Sequence, residues 1–343
     1  MSDELFSKLG FSHQGVISRL TVYSLRMALL GILLLVAISC TKLPPFIGKS
    51  RSIVVLSSNI DTVSVVNSLQ AYNYVPQKEG VFDFLFTPDT AVKKYQRYHT
   101  LFLYGSLKDD FIYTLLSPEA RKATEADTFT LFKLNDLWVN NQLVIVFASS
   151  QPDDIQRGLQ KYGPLISKIL LDNYYERTKA TYYNDKMDRR ITQELKKFGM
   201  VLDFQRDWMI DSTYKKEHFM IIHTHFPDRS IFLYKEPLKE GLTNALAISK
   251  RNYLTKKYYN GDYVLNELTT FENIEFRGMK GLLMKGTWQN DSLVAGGPFL
   301  SYFFVANDTL YLVDAIVFNP GERKSDYLMK NEVIMNSLEI TRP

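Results

Sequence analysis

Cysteine is nearly absent from this chain. Its 343 residues contain one, Cys40. A single thiol excludes an intrachain disulfide, so the fold must be held by packing alone. No charge sign dominates either: 41 Lys and Arg stand against 37 Asp and Glu, a net of +4. That balance leaves no strong footprint for gripping nucleic acid, and none is expected as a partner. Long apolar runs are missing too. The longest near the N-terminus, Met27–Ile38, falls well short of the ~20 residues that a helix needs to cross a bilayer. What is abundant is aromatic: 21 Tyr and 22 Phe favour strands around a substantial core. A chain of this length can form one large domain or two ordinary ones.

The lone cysteine follows that apolar run directly. Arg19 and Arg26 precede the run, Ala37-Ile38-Ser39-Cys40 closes it, and Thr41-Lys42 and Pro44-Pro45 follow. Basic flank, short apolar segment, small residues and cysteine together read as a secretory signal ending in a lipobox, with Cys40 as the lipidation site. A buried structural cysteine after a core helix is the bland alternative. An uncleaved anchor is the other, and the run is short for one. On the lipobox reading residues 1–39 are the signal peptide, and Cys40 carries the acyl chains of a membrane lipid anchor. More than one chain is required for stable anchoring. Residues 40–50 are then an extended tether that Pro44 and Pro45 keep out of helix and sheet.

Beyond the tether the expected class is α+β: largely antiparallel sheets covered by helices, in two loosely similar halves, 51–198 and 199–343, joined by a long helical segment. Arg51–Ser57 reads as a strand, and Thr62–Leu69 as a helix behind an Asp61 cap. Asp127–Leu134 and Leu143–Ala148 read as a strand pair. Ser149–Asp154 reads as a helix start, and the helix that follows is interrupted near Gly163-Pro164 and stopped by Gly199 at its end. In the second half, strands are expected near 200–203, 219–225, 230–234, 281–288, 301–306 and 309–318. Helices are expected near 244–258 and 325–337.

Two stretches carry a family resemblance. Pro76-Gln77-Lys78-Glu79 is followed by Phe82. Further on, Trp288 precedes Gly296-Gly297-Pro298-Phe299, then Val317-Phe318, Pro320-Gly321 and Lys324. Together these resemble the Bacteroidota envelope lipoproteins of domain-of-unknown-function family 4837, over about residues 50–340. Gly80 stands where that family usually has Pro, and Ala295 where it usually has Met. The resemblance implies an envelope lipoprotein and carries over no catalytic residue. The second half also resembles the photosystem-II-subunit-P and Mog1-like sandwich, a likeness of fold alone.

Few constellations suggest chemistry. His223 and His225, two apart on a strand, face the same way and could share a metal ion with Asp228, although a zinc site needs a third or fourth ligand. A solvated or groove-facing strand surface is the plainer alternative. Gly105-Ser106 lacks the second glycine of a nucleophile elbow, and no catalytic residue and no cofactor site stands out. Asp109-Asp110 and Asp153-Asp154 fit caps and turns. Gly296-Gly297-Pro298 reads as a tight turn before a strand, or as a loop that cradles a ligand. Lys250-Arg251-Asn252-Tyr253 with Lys256-Lys257-Tyr258-Tyr259 reads as a solvated helix face, or as a surface for anionic head groups or polysaccharide. Asp-Ser/Thr-apolar triplets begin at Asp61, Asp89, Asp291 and Asp308, as caps and turns or as O-glycosylation acceptors.

These readings converge on a lipid-anchored outer-membrane lipoprotein that faces the periplasm. The expected role is non-catalytic, binding or accessory, with an envelope protein or a glycan as partner. The alternative is an envelope hydrolase acting on glycans. Convergent carboxylates in a deep cleft would favour the enzyme, and an apolar groove would favour binding.

Overall fold

The computed structural model describes residues 43–74, 78–238 and 241–341. In chain order the first elements are β1 (Ser52–Ser57), α1 (Thr62–Leu69), the hairpin β2 (Tyr72–Tyr74) and β3 (Lys78–Gly80), β4 (Asp83–Pro88) and α2 (Val92–Tyr95). Next come β5 (Thr100–Ser106), α3 (Asp110–Leu115), α4 (Pro118–Asp127), β6 (Phe129–Asn135), β7 (Leu143–Ser149) and α5 (Ile155–Tyr183). They are followed by α6 (Arg189–Phe198), β8 (Met200–Val201), β9 (Met209–Asp211), β10 (Phe219–Thr224), β11 (Asp228–Pro237) and α7 (Asn244–Tyr258). The last are β12 (Tyr263–Val264), β13 (Thr270–Phe276), β14 (Met279–Asn290), β15 (Ala295–Ala306), β16 (Thr309–Phe318), α8 (Ser325–Met335) and β17 (Glu339–Ile340). No helix among the described residues is long and apolar enough to cross a membrane.

The chain divides into two compact units. Of the described residues, one unit holds those up to Gln70 together with Phe82–Leu170, and the other holds those of Ala71–Val81 and those from Leu171 on. This differs from the expected boundary at 198/199. The reason is burial: Tyr182 of α5 and Ile191, Leu195 and Phe198 of α6 belong to the core of the second unit.

In the first unit a five-stranded sheet runs in the order β4-β1-β5-β7-β6. β1 pairs in parallel with β4 and β5, β5 in parallel with β7, and β6 alone runs antiparallel, as the hairpin partner of β7. The α+β class holds for the chain, but this sheet is mainly parallel where antiparallel pairing was expected. Its central strands explain why. β5 and β7 are buried along their whole length, as sheets covered on both faces require, so their sequences are continuous apolar runs without alternation. The expected likeness of the two halves therefore does not extend to strand direction. Residues 43–47, expected to be part of a tether, are fastened to this unit: Asn140 donates its backbone N–H to Pro44 O and its amide to Leu43 O, and Ile47 bridges to Tyr98.

The second unit is built on an antiparallel eight-stranded sheet, ordered β12-β14-β15-β16-β11-β10-β9 with β13 also paired to β14. Side chains alternate between its faces, as strand geometry dictates. Leu283, Leu300, Tyr302, Phe304, Val313 and Ala315 pack with residues of α6 and α8 on one side. Leu282, Met284, Phe299, Phe303, Leu310 and Leu312 pack with α7 on the other.

Helix α5 runs unbroken through Pro164, contrary to the expected interruption there. The break comes later, before Asp188, whose carboxylate accepts from the N–H groups of Arg190 and Ile191 and starts α6. Gly199 ends α6 in the left-handed conformation, φ 88°, and donates to Leu195 O and Lys196 O as expected.

Candidate functional site

A cleft of about 600 Å³ opens in the second unit, on the face of the sheet that α8 covers. Its floor is made by Thr270 and Glu272 of β13, Lys285 and Gly286 of β14, and Pro298, Phe299 and Leu300 of β15. Leu328, Met329 and Glu332 of α8 form one wall, and Leu171, Asp172 and Tyr175 of α5 another. The β2–β3 hairpin and its flanks, Ala71 to Asn73 and Val81, complete the rim. The lining mixes apolar side chains with polar ones, among them the charged Asp172, Glu272, Lys285 and Glu332.

Local chemistry holds α8 in place over the sheet. Its first turn has no capping side chain of its own, and Glu79 of β3 supplies one. The Glu79 carboxylate accepts from the N–H of Lys324 at 3.0 Å, from the N–H of Ser325 at 2.8 Å, and from the Ser325 hydroxyl. An anion at a helix N-terminus satisfies donors that would otherwise be orphaned and complements the helix dipole. Arg323 donates to Gly80 O, and Asn73 to Ser325 Oγ at 3.2 Å. At the other end of α8, Tyr302 donates its hydroxyl to Asn336 Oδ1, while the Asn336 amide donates to the Tyr175 hydroxyl; both bonds are 2.9 Å. Tyr302 and Tyr175 are both held above the ordinary phenol range, in each case mainly by burial.

Lys285 and Glu332 are the charged residues at the heart of the cleft. Among the described residues, no hydrogen bond or ion pair within 4.0 Å joins either side chain to another, and they act on each other only at longer range. Burial raises the Glu332 carboxyl above the usual carboxylate range. Glu272 adds to the rise and Lys285 opposes it. A carboxyl held towards its neutral form can donate a hydrogen bond as well as accept one. The site thus offers a cation and a poised carboxyl beside the apolar Pro298, Phe299 and Leu300.

The opposite face of the same sheet treats charge differently. Arg251 of α7 and Asp314 of β16 are both 0% exposed and meet at 2.7 Å, with a second bond from Nη2 at 3.2 Å. Ser301 donates to the same carboxylate, and the Phe299 ring stacks 3.8 Å from the guanidinium. Only Arg251 Nη1 is left without a partner among the described residues.

Sequence reading missed both arrangements and singled out other positions. Cys40, the signal before it, and Pro76 and Gln77 lie outside the described residues. The structure brings His223 and His225 together edge to face with ring centroids 5.4 Å apart, and His225 bonds Asp228 at 2.7 Å. Among the described residues no group of three or more His, Cys, Asp or Glu is placed to hold a metal ion. Gly296-Gly297-Pro298 is not a turn, although Pro298 does line the cleft. The three residues lie inside β15, where Gly297 pairs with Trp288. A Cβ at Gly297 would stand 2.2 Å from Val317 O, so the glycine is needed for close approach of strands. Pro298 sits one residue before the β15–β16 pairing begins, where its missing N–H costs least.

The basic–aromatic run is largely occupied. Arg251 is buried, Lys250 pairs with Glu236 at 2.6 Å, and Lys257 pairs with Glu217. Ser106 is buried and donates to Asp109 at 3.2 Å, a local turn bond. All four Asp-Ser/Thr positions sit at caps, turns or element starts; Asp61, for example, accepts from Ser64 N–H at 3.0 Å. The signals that were available are subtle. Arg251 stands four residues after Ala247 on the buried stripe of α7, and Asp314 interrupts the apolar run of β16.

With this geometry in hand, comparison with known proteins adds a family. A family model described as Domain of unknown function (DUF4837) matches residues 187–337. That stretch of the chain is similar to this family. The match is narrower than the span of about 50–340 expected from the resemblance, and it covers α6 to α8 with β8 to β16 of the second unit. No curated protein matches. Among solved structures, cyanobacterial PsbP from Synechocystis sp. PCC 6803 aligns at TM-score 0.30 with 8% identity, over 42% of this chain and 88% of its own. LpqN of Mycobacterium tuberculosis, described as involved in cell envelope biogenesis, aligns at 0.28 with 11% identity, over 42% and 83%. A structure from Bacteroides thetaiotaomicron VPI-5482 aligns at 0.24 with 12% identity, over 42% and 46%. Likenesses this slight carry no functional argument.

Proposed function

We propose that this chain is a non-catalytic binding or accessory protein of the cell envelope, and that the DUF4837-like unit takes its ligand in the cleft between α8 and β13–β15. One observation carries the reading: among the described residues, Lys285 and Glu332 stand unpaired in a partly apolar cleft of about 600 Å³. Leaving polar groups unspent is costly in a folded core and is reasonable where a ligand completes them. Equilibrium binding of candidate glycans, peptides and lipids to wild type, Lys285→Met and Leu300→Trp tests it. The wild type should bind one class, and both variants should lose that binding while remaining folded.

The envelope setting is part of the same proposal. Cys40 would be acylated after cleavage of residues 1–39 and would tether the chain to the outer membrane on its periplasmic side. Metabolic labelling with a clickable palmitate analogue checks this, since label should be present in wild type and absent from Cys40→Ala.

A second reading is supported by the carboxylates in the cleft. Glu332, biased towards its protonated form, and Glu272 in the floor could serve as the acid and base of a glycan hydrolase. Turnover of an envelope glycan that Glu332→Gln abolishes without weakening binding would establish the enzyme in place of the binder.

A further inference from the structure

One end of the eight-stranded sheet carries apolar side chains that nothing covers. The β10–β11 hairpin presents Phe226, 100% exposed, at its tip. The β14–β15 hairpin presents Leu293 and Val294, 61% and 93% exposed. Register puts both tips at the same end, because Asp228 pairs with Phe318, Phe299 with Ile316 and Asn290 with Ala295. Only β16 separates β11 from β15, so the tips are spaced by about two strand widths, ~10 Å.

The backbone makes these choices unusual. Phe226 has φ 59° and Val294 φ 49°, left-handed positions that Gly or Asn fill at least cost and that a β-branched residue fills at most. Local folding therefore favours other residues at both tips, and solvation does too. Strain and exposure that coincide at two separate turns point to a role outside the fold.

Cations flank the first tip. Lys186, Arg189 and Arg206, with Met187, line one shallow depression. Met187 bridges to Gln205, and Asp207 O accepts from Thr224 Oγ1 at 2.9 Å, which sets the depression beside the Phe226 turn. None of the three has a carboxylate within 4.0 Å among the described residues. Most acidic groups at this end are engaged: Asp228 with His225, Asp291 with Tyr263 and Gln289, Asp185 with Gln205, and Asp207 facing Arg229, while Glu322 beyond β16 is exposed.

We propose that these tips form a lipid-contacting edge, in which Phe226, Leu293 and Val294 enter the headgroup–acyl boundary of a bilayer and Lys186, Arg189 and Arg206 meet its phosphates. Separate protruding side chains suit a fluid interface better than a rigid protein partner, because each can find its own depth. Apolar insertion beside cations is the usual physics of peripheral membrane attachment. This edge is distinct from the cleft and from any acyl group on Cys40.

The test reads position directly. Full-length chain carrying Cys40→Ser receives one new cysteine, Phe226→Cys, Val294→Cys or, at the opposite end of the sheet, Lys280→Cys, and each is labelled with a polarity-sensitive fluorophore. Phosphatidylethanolamine–phosphatidylglycerol vesicles should blue-shift the label at 226 and 294, and brominated acyl chains should quench it there and not at 280. The triple variant Lys186→Gln, Arg189→Gln, Arg206→Gln should lose about fivefold in vesicle partitioning for each charge removed. A response at 280 equal to that at 226 and 294, or no response at the tips, would overturn the proposal. Unchanged partitioning of the triple variant would overturn its assignment of the phosphate contacts.

Discussion

On one face of the eight-stranded sheet Arg251 and Asp314 lie wholly buried and bonded to each other; on the other, Lys285 and Glu332 line a cleft and bond to no side chain among the described residues. The two faces share strands, alternation and aromatic packing. They differ in whether their charges are spent. A closed pair fixes how α7 sits on the sheet and leaves nothing for a ligand. An open pair contributes little to the fold and keeps its capacity for something that arrives later. The contrast is why we propose the α8 face as the binding side.

Breaking the closed side should give the largest effect. Asp314→Ala strands a buried guanidinium and should cost about 3–5 kcal/mol in denaturant unfolding. The double change Arg251→Met, Asp314→Leu should recover much of that loss, because desolvation offsets much of what a buried pair contributes. A single variant as stable as wild type would show that the two faces do not differ as described.

Filling the open side should cost less. Leu300→Trp occupies the cleft floor, and overpacking of this kind costs about 1–3 kcal/mol. Its main effect should be loss of ligand binding, read by calorimetry, at near-native far-UV circular dichroism. Full binding by this variant would move the site elsewhere.

The pH profile sharpens the comparison further. Burial raises the Glu332 carboxyl, so the folded state holds that proton more tightly than the unfolded chain does. Stability tied to Glu332 is therefore fully present below the unfolded pKa of 4.5 and is lost as pH rises through the raised folded value. Glu332→Gln should remove that decline and be relatively more stable at neutral than at acidic pH. A wild-type-minus-variant stability difference that stays flat with pH would contradict an open, desolvated carboxyl.

The smallest effect belongs to the cap. Glu79→Gln keeps an acceptor but removes the charge from the α8 N-terminus, and should cost about 0.5–1 kcal/mol, measured as a shift in the denaturation midpoint.

Much of the fold was legible in the sequence. The helices at Thr62–Leu69 and Asn244–Tyr258, the strand Thr309–Phe318 and the Gly199 stop stand where periodicity, the Asp61 cap and glycine chemistry put them. Strand direction in the first sheet was less accessible, although the unbroken apolar runs of β5 and β7 carried the signal for parallel pairing. The Gly-Gly-Pro block misled, because the same residues that make turns also permit strands to approach closely, as at Gly297. The cleft was not legible at all. Its residues come from the β2–β3 hairpin, α5, β13–β15 and α8, and no local spacing announces that Lys285 and Glu332 will share a space.

The most direct test of that shared space is what the native protein carries. Chain purified gently from its own envelope, as wild type and as Lys285→Met, can be compared by native mass spectrometry and by analysis of extracted small molecules. The account predicts one class of molecule on the wild type, absent from the variant and returned unaltered after incubation. The same molecules on both proteins, or a molecule converted to product by the wild type, would contradict it.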